Sequence, residues 1–147
     1  NRAISSRSGA SDVLGHLGLP VTLDGPAMRQ MLRETGFAYL HAPHYHPGVA
    51  LVAAARRALG TRSIFNLLGP LSNPARPTHG LIGAYSPAAG ALMADALARM
   101  EYTRAMVVHT ALEQGGLDEA TNTAPFMGWL VECGSVSVQE RVSTEYG

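Results

Sequence analysis

Two adjacent carboxylates, Asp118 and Glu119, are the side chains of this sequence that best fit a metal site. They follow Gly115-Gly116, a few residues beyond a predicted strand that ends at His109. Open α/β sheets place their sites at the carboxyl ends of parallel strands. Because Mg²⁺ takes oxygen ligands, keeps several waters and bridges to phosphates, the pair favours magnesium. The same pattern is also typical of a solvated acidic turn, so that alternative stays open.

Arg56 is a second candidate, because it lies on the apolar face of a predicted helix from Pro47 to Leu59. Its spacing from Val49 and Val52 places a guanidinium where an aliphatic side chain is expected. A charge at such a position is costly unless it is paired, and the guanidinium fork fits a carboxylate bidentately. The partner is either an acid of this chain or the carboxylate of a ligand.

The opening segment, residues 1–9, has the composition of an anion site. It contains two arginines, three serines and a glycine directly before a predicted helix. Small residues allow backbone N–H groups to approach an anion, and a helix N-terminus favours negative charge. The segment therefore predicts a phosphate site, with a frayed polar terminus as the alternative.

His46 ends a histidine-rich run that begins at His41, and it directly precedes the helix that carries Arg56. No cysteine or carboxylate lies nearby in sequence, which argues against a zinc site. We expect His46 to cap the helix and to contact a ligand. A helix rises about 1.5 Å per residue, so about 15 Å separates His46 from Arg56 along the axis. That separation argues against one small ligand held by both side chains.

The composition fits one globular domain and excludes several classes of protein. The chain has 147 residues, of which 46% are hydrophobic and 15% charged, and its formal net charge is zero. A single cysteine excludes a disulfide scaffold and fits a reducing compartment, so we expect a cytoplasmic protein. All basic residues are arginine, which excludes a Schiff-base lysine and a P-loop lysine. The low charge content and the opening at asparagine are typical of a fragment.

Nucleic acid and membrane are disfavoured as partners. Zero net charge and the lack of a basic face interleaved with aromatic residues argue against nucleic-acid binding. The two long uncharged stretches, residues 35–55 and 77–94, are interrupted by proline, glycine or histidine. Neither stretch therefore predicts a membrane span.

Hydrophobic spacing and turn residues predict the elements that position these groups. The predicted helices cover residues 11–17, 25–35, 47–59 and 87–100, with a helical turn at 64–68 that Gly69-Pro70 ends. The predicted strands cover residues 37–40, 81–85 and 104–109, followed by a hairpin that turns at Gly134-Ser135. A strand–helix–strand crossover indicates parallel pairing. The expected fold is therefore α/β, a mixed and largely parallel sheet flanked by helices, with a C-terminal antiparallel hairpin.

Two of these helices carry apolar stripes that predict their buried faces. One stripe consists of Met28, Met31, Leu32 and Thr35, and the other of Ala89, Leu92, Met93, Ala96, Leu97 and Met100. We interpret both stripes as core packing.

Several longer motifs resemble anthranilate phosphoribosyltransferase, in the order of that family and across almost the whole chain. The most specific is the run from Arg62 to Pro74, RSIFNLLGPLSNP. The other motifs are Asn1-Arg2-Ala3-Ile4-Ser5-Ser6, Ser8-Gly9, Asp12-Val13-Leu14, His41 to Pro47 and Gly116-Leu117-Asp118-Glu119. The resemblance implies a fold like that of phosphoribosyltransferases and nucleoside phosphorylases. It also implies transfer of a phosphoribosyl group from phosphoribosyl pyrophosphate to anthranilate, with release of pyrophosphate, in tryptophan biosynthesis.

The same resemblance implies residue roles and partners. Anthranilate would be held by Asn1 and Arg56, with His46 near its entry path, and Asp118 and Glu119 would hold Mg²⁺. Phosphoribosyl pyrophosphate would be bound by Asn1, Arg2, Ala3, Ile4, Ser5, Ser6 and Ala10. No protein nucleophile is implied, and the full-length protein is expected to be a homodimer.

The sequence departs from the family pattern in four places. The family motif K-H-G-N-R begins here at its asparagine, and the glycine-rich loop and N-terminal helical domain are missing from the sequence. Ala10 stands where the family has serine, the loop over residues 110–115 is longer than usual, and the usual T-G-P-T reads Thr123-Ala124-Pro125-Phe126. We therefore expect residues 1–147 to be a partial α/β domain with little activity alone, in which residues 47–74 pack with the missing helical domain.

Two other functions stay open. One is a pyrimidine-nucleoside phosphorylase of the same superfamily, in which a related form of Gly69-Pro70-Leu71-Ser72-Asn73-Pro74 occurs. The other is a non-catalytic, transferase-like nucleic-acid-binding protein.

Overall fold

The computed structural model describes residues 9–48, 52, 58, 63–113 and 115–142 of the chain. The chain divides into two compact units, residues 1–61 and 62–147. The helices with described bounds in the first unit are α1 (Ala10–His16), α2 (Gly25–Thr35) and α3 (Ala42–Tyr45). The second contains α4 (Phe65–Leu71), β1 (His79–Gly83), α5 (Pro87–Ala98), β2 (Arg104–Leu112), β3 (Gly115–Leu117), β4 (Phe126–Glu132) and β5 (Ser135–Arg141).

Local signals set the limits of helix α2, which has the predicted bounds. The Asp24 side chain accepts a hydrogen bond from the Ala27 N–H group (2.9 Å) and caps the N-terminus. Gly36 ends the helix in the left-handed conformation, at φ 72°. The buried face is narrower than predicted, since Met28 is buried but Leu32 is 49% exposed.

Two short elements of the first unit differ from the predictions. The predicted strand at 37–40 is wrong, because these residues form no strand and pair with none of the described strands. Helix α3 was not predicted, and it begins with Pro43 in its first turn, where a missing N–H group costs nothing. Of the predicted helix at 47–59 the structure describes residues 47, 48, 52 and 58, all helical.

Helix α4 continues past the predicted stop at Gly69-Pro70 and ends at Leu71. The Asn66 side chain accepts a hydrogen bond from the Ser63 N–H group (2.9 Å) and stabilises the N-terminal end. Pro70 lies in the last turn of the helix, so its missing N–H group interrupts only the end of the hydrogen-bond ladder.

The second unit is built on a mixed sheet with the strand order β1-β2-β4-β5, and β3 pairs with β2 beside that path. The α/β class and the C-terminal hairpin are confirmed. The expectation of a largely parallel sheet is wrong, since among the described pairings only β1–β2 is parallel. The hairpin turns at Cys133-Gly134 rather than at Gly134-Ser135. Both turn residues have positive φ, 46° and 82°, which matches the twist of a two-residue hairpin.

Helix α5 covers one face of this sheet and forms the core. Five residues of this core are at most 4% exposed and have large side chains: Met93, Leu97, Val107, Trp129 and Val131. The buried stripe of α5 is rotated from the predicted one, since Gly90 is buried whereas Leu92 is 58% exposed. The reason is the Trp129 indole, which lies so close that a β-carbon added at Gly90 would be 2.7 Å from Cη2.

Tyr102 belongs to the same core and packs against Gly80 of β1. Burial raises the pKa of its phenol above the ordinary value, because the charged phenolate loses solvation. Within the described part of the chain, no helix is both long and apolar enough to cross a membrane.

Candidate active site

Asp118 and Glu119 lie where the chain leaves β3 and reaches the carboxyl ends of the parallel pair β1 and β2. The carbonyl carbon of Asp118 lies 2.7 Å from the position of a β-carbon on Gly83, which ends β1. The Thr110 hydroxyl of β2 donates a hydrogen bond to the carbonyl oxygen of Glu119 (2.7 Å). Asp118 and Glu119, which form the acidic loop after β3, are therefore in contact with two neighbouring strands. This is the end of the sheet at which open α/β folds place their sites.

Gly83 allows the acidic loop to approach β1 this closely. Any β-carbon at residue 83 would overlap the Asp118 carbonyl group, which is main chain and cannot rotate away like a side chain. Here the lack of a side chain is a packing requirement, since two backbones occupy adjacent space.

Strand β2 extends beyond its predicted end at His109 and forms a hairpin with β3. Residues 110–112 pair antiparallel with residues 117–115, and Gly115 adopts φ 123°. The residues that the sequence predicts to be a long loop are therefore mostly strand. Since β3 ends at Leu117, Asp118 is the first residue after the hairpin.

His109 connects the ends of β1, β2 and β3. Its ring is 4% exposed, and Nδ1 lies 2.8 Å from the carbonyl oxygen of Ala84. A carbonyl oxygen only accepts, so Nδ1 carries the proton in this hydrogen bond. The Nε2 atom lies 2.9 Å from the position of a β-carbon on Gly116, and the ring therefore fills the space beside β3.

Sequence patterns do not identify Gly83, His109 or Thr110 as site residues. The available signal is the change from the apolar run at residues 106–108 to the polar pair His109-Thr110 while the strand continues. Both polar side chains are buried, which is rare for these types unless they form hydrogen bonds. Their partners lie 25 and nine residues away in sequence, so the contacts have no local signature.

The carboxylates of Asp118 and Glu119 are exposed, and neither forms an ion pair with another described residue. No group of three or more potential metal-ligating side chains occurs among the residues that the structure describes. The site therefore offers a metal ion two adjacent side chains with oxygen atoms as ligands. Its remaining coordination positions would be filled by water or a bound ligand. Such a donor set is compatible with Mg²⁺, which binds through one or two carboxylates and keeps several waters.

The other predicted site residues belong to the first unit. Residues 1–6, which are Asn1, Arg2, Ala3, Ile4, Ser5 and Ser6, lie outside the described residues, and so does Arg56. Ala10 is exposed at the start of α1, where the Asp12 carboxylate accepts a hydrogen bond from the Gly9 N–H group (2.9 Å). His46 is half-buried and follows the last residue of α3, and its backbone N–H group donates a hydrogen bond to the Ala42 carbonyl oxygen (2.9 Å).

Comparison with known proteins places this chain in a family. Residues 1–145 match the family model described as the glycosyl transferase family, a/b domain. The chain belongs to that family. A relative named anthranilate phosphoribosyltransferase, from Chlorobaculum parvum, is 48% identical to this glycosyl transferase domain over 126 residues. Another of that name, from Chloroflexus aurantiacus, is 39% identical over 145 residues.

A solved structure has the same fold as the glycosyl transferase domain. It is anthranilate phosphoribosyltransferase from Saccharomyces cerevisiae in complex with 4-fluoroanthranilate, with a TM-score of 0.78, 25% identity and coverage of 91% of this chain. The chain covers 37% of that structure, and 36% and 42% of the two relatives. The resemblance in the sequence motifs is thereby confirmed, over a chain that spans well under half the length of these proteins.

Proposed function

We propose that this glycosyl transferase domain is the metal-binding part of an anthranilate phosphoribosyltransferase. The reaction would form a bond between the amino nitrogen of anthranilate and the anomeric carbon of phosphoribosyl pyrophosphate. The bond from that carbon to pyrophosphate breaks, and the nitrogen loses a proton. The observation that carries the proposal is the pair Asp118 and Glu119, exposed at the carboxyl ends of β1 and β2. The names of the relatives supply the substrates.

In this proposal the two carboxylates hold Mg²⁺. The donor set fits, because it is made of oxygen only and neither carboxylate is neutralised by another described residue. Bound Mg²⁺ supplies charge stabilisation for the departing pyrophosphate. The chain needs no nucleophile of its own, since positioning and electrostatic stabilisation account for the catalysis.

The substrate contacts rest on the sequence motifs. The Arg56 guanidinium binds the carboxylate of anthranilate bidentately, together with Asn1, and His46 lies near the entry path. Residues 1–6 and Ala10 bind phosphoribosyl pyrophosphate through backbone N–H groups and hydroxyls. The complete protein is a homodimer in this proposal, which the resemblance supports and which light scattering on the complete protein tests.

A chimeric enzyme tests the function directly. The chain replaces the aligned segment of the Chlorobaculum parvum relative, and pyrophosphate release is measured with each substrate alone and with both together. We expect release only when anthranilate and phosphoribosyl pyrophosphate are both present. Phosphorolysis of thymidine would instead support the nucleoside phosphorylase alternative, and salt-dependent binding of single-stranded DNA would support the nucleic-acid binder. A chimera that folds but performs none of these reactions contradicts the proposed transferase function.

A further inference from the structure

The Thr110 side chain joins strand β2 to Glu119, the second residue of the acidic pair Asp118-Glu119. It is fully buried, at 0% exposure, and its hydroxyl donates a 2.7 Å hydrogen bond to the carbonyl oxygen of Glu119. A hydroxyl at such a depth is costly without a partner, and the Glu119 carbonyl group is the partner that the structure provides.

The acidic pair has little other attachment to the sheet. Pairing between β2 and β3 ends at Leu117, so none of the described strand pairings includes Asp118 or Glu119. The contact of Asp118 with Gly83 is steric, and it limits how closely the loop approaches β1. The hydrogen bond from Thr110 is attractive and directional. Together the two contacts fix both main-chain positions, while both carboxylates stay exposed.

We propose that Thr110 is a positioning residue, which holds the Glu119 main chain so that the two carboxylates bind one divalent cation together. The proposal rests on the metal role of Asp118 and Glu119 in the proposed function. Partners that orient metal ligands affect affinity strongly although they do not touch the metal, because a ligand that must be ordered on binding costs conformational entropy. The hydroxyl orders the main chain that carries the Glu119 carboxylate before the metal binds.

The test uses the whole 147-residue chain and Mn²⁺ as the probe, with free Mn²⁺ measured by electron paramagnetic resonance. Two pairs of side chains at residue 110 differ mainly in the hydroxyl: threonine against valine, and serine against alanine. We expect the member with the hydroxyl to bind Mn²⁺ about tenfold more tightly in each pair. The serine–alanine pair also keeps the test decisive if Thr110→Val fails to fold, since neither residue is larger than threonine.

A nearby threonine provides the matched control. The hydroxyl of Thr121 lies 2.8 Å from that of Thr123, within the segment that follows the acidic pair. Thr121→Val removes a hydroxyl without touching the Glu119 main chain, so we expect Mn²⁺ affinity to change by less than about twofold.

Asp118→Asn separates the two ways in which the proposal can fail. If this variant leaves Mn²⁺ affinity unchanged, the cation does not bind at the acidic pair and the metal role in the proposed function is wrong. If Asp118→Asn weakens binding but both pairs at residue 110 bind Mn²⁺ equally, the metal site stands and the positioning role of Thr110 is overturned.

Discussion

The carbonyl group of Asp118 occupies the space that a β-carbon would need on Gly83, with its carbon 2.7 Å from the position of that atom. Gly83 is the last residue of β1 and pairs with Val108 of β2. The acidic loop is thus in direct backbone contact with the end of the parallel strand pair. A substitution at Gly83, 35 residues before Asp118 in the sequence, can therefore displace the candidate metal ligands.

Gly83→Ala should displace the acidic loop and reduce both stability and Mn²⁺ binding. Overpacking of this kind lowers the free energy of unfolding by about 1–3 kcal/mol. Urea unfolding and a Mn²⁺ titration of the same samples measure the two effects.

Gly128→Ala is the matched control for this change, since Gly128 lies in β4 and its added β-carbon would be 3.6 Å from Met106 Sδ, an ordinary contact. We expect the control to bind Mn²⁺ as the unsubstituted chain does. Equal Mn²⁺ affinity in the two alanine variants would show that the contact between Gly83 and Asp118 does not position the acidic pair.

Gly90→Ala should destabilise the second unit although alanine favours helices over glycine by about 1 kcal/mol. The added methyl group would overlap the Trp129 indole, which is 4% exposed and packed in the core. We expect a net loss of about 1–3 kcal/mol in the free energy of unfolding, measured by circular dichroism in urea.

Two further variants separate packing from helix propensity at this position. Ala91 is exposed in the same helix, so Ala91→Gly measures the propensity difference alone. In the background of Trp129→Leu, Gly90→Ala should lower the free energy of unfolding less, or even raise it, because the indole atoms that the methyl group would overlap are absent. An equal cost in both backgrounds would rule out the indole contact as the cause.

Arg56→Ala should weaken the use of anthranilate much more than that of phosphoribosyl pyrophosphate in the chimeric enzyme. The loss of a bidentate charged pair costs about 2–4 kcal/mol, which is expressed as a higher KM for anthranilate. Arg57→Ala is the matched control, because the sequence predicts residue 57 on the adjacent face of the predicted helix, where it is expected to be solvated. Equal increases in both KM values, or equal effects of the two substitutions, would remove the ligand role of Arg56.

Local sequence signals predicted the elements whose limits depend on their own residues. Helix α2 has the predicted bounds because Asp24 and Gly36 act on adjacent main chain. The strand predicted at 37–40 is wrong because an apolar run forms a strand only when a partner strand accepts its hydrogen bonds. The short strand β3 was missed because Gly115-Gly116 carries no side-chain pattern, and its pairing depends on β2.

For the candidate site, too, the sequence predicted the part that depends on local residue types and missed the part that depends on the packed fold. The acidic pair was identified from residue type, since adjacent carboxylates after glycines are visible in the sequence. The residues that anchor it were not identified, because Gly83 and Thr110 contact it from strands that precede it by 35 and nine residues in the printed sequence. Close approach of two backbones depends on the packed fold, and the only sign of it in the sequence is the glycine at residue 83.

The most direct test of the metal site is a Mg²⁺ titration of pyrophosphate release by the chimeric enzyme, comparing Asp118→Asn with Glu113→Gln. Glu113 is exposed between β2 and β3, at the opposite end of this hairpin from Asp118, so its substitution removes the same charge away from the site. We expect Asp118→Asn to need about tenfold more Mg²⁺ for half-maximal release, and Glu113→Gln to match the unsubstituted chimera. Superimposable titrations for Asp118→Asn and the unsubstituted chimera would contradict a metal site at the carboxyl ends of β1 and β2.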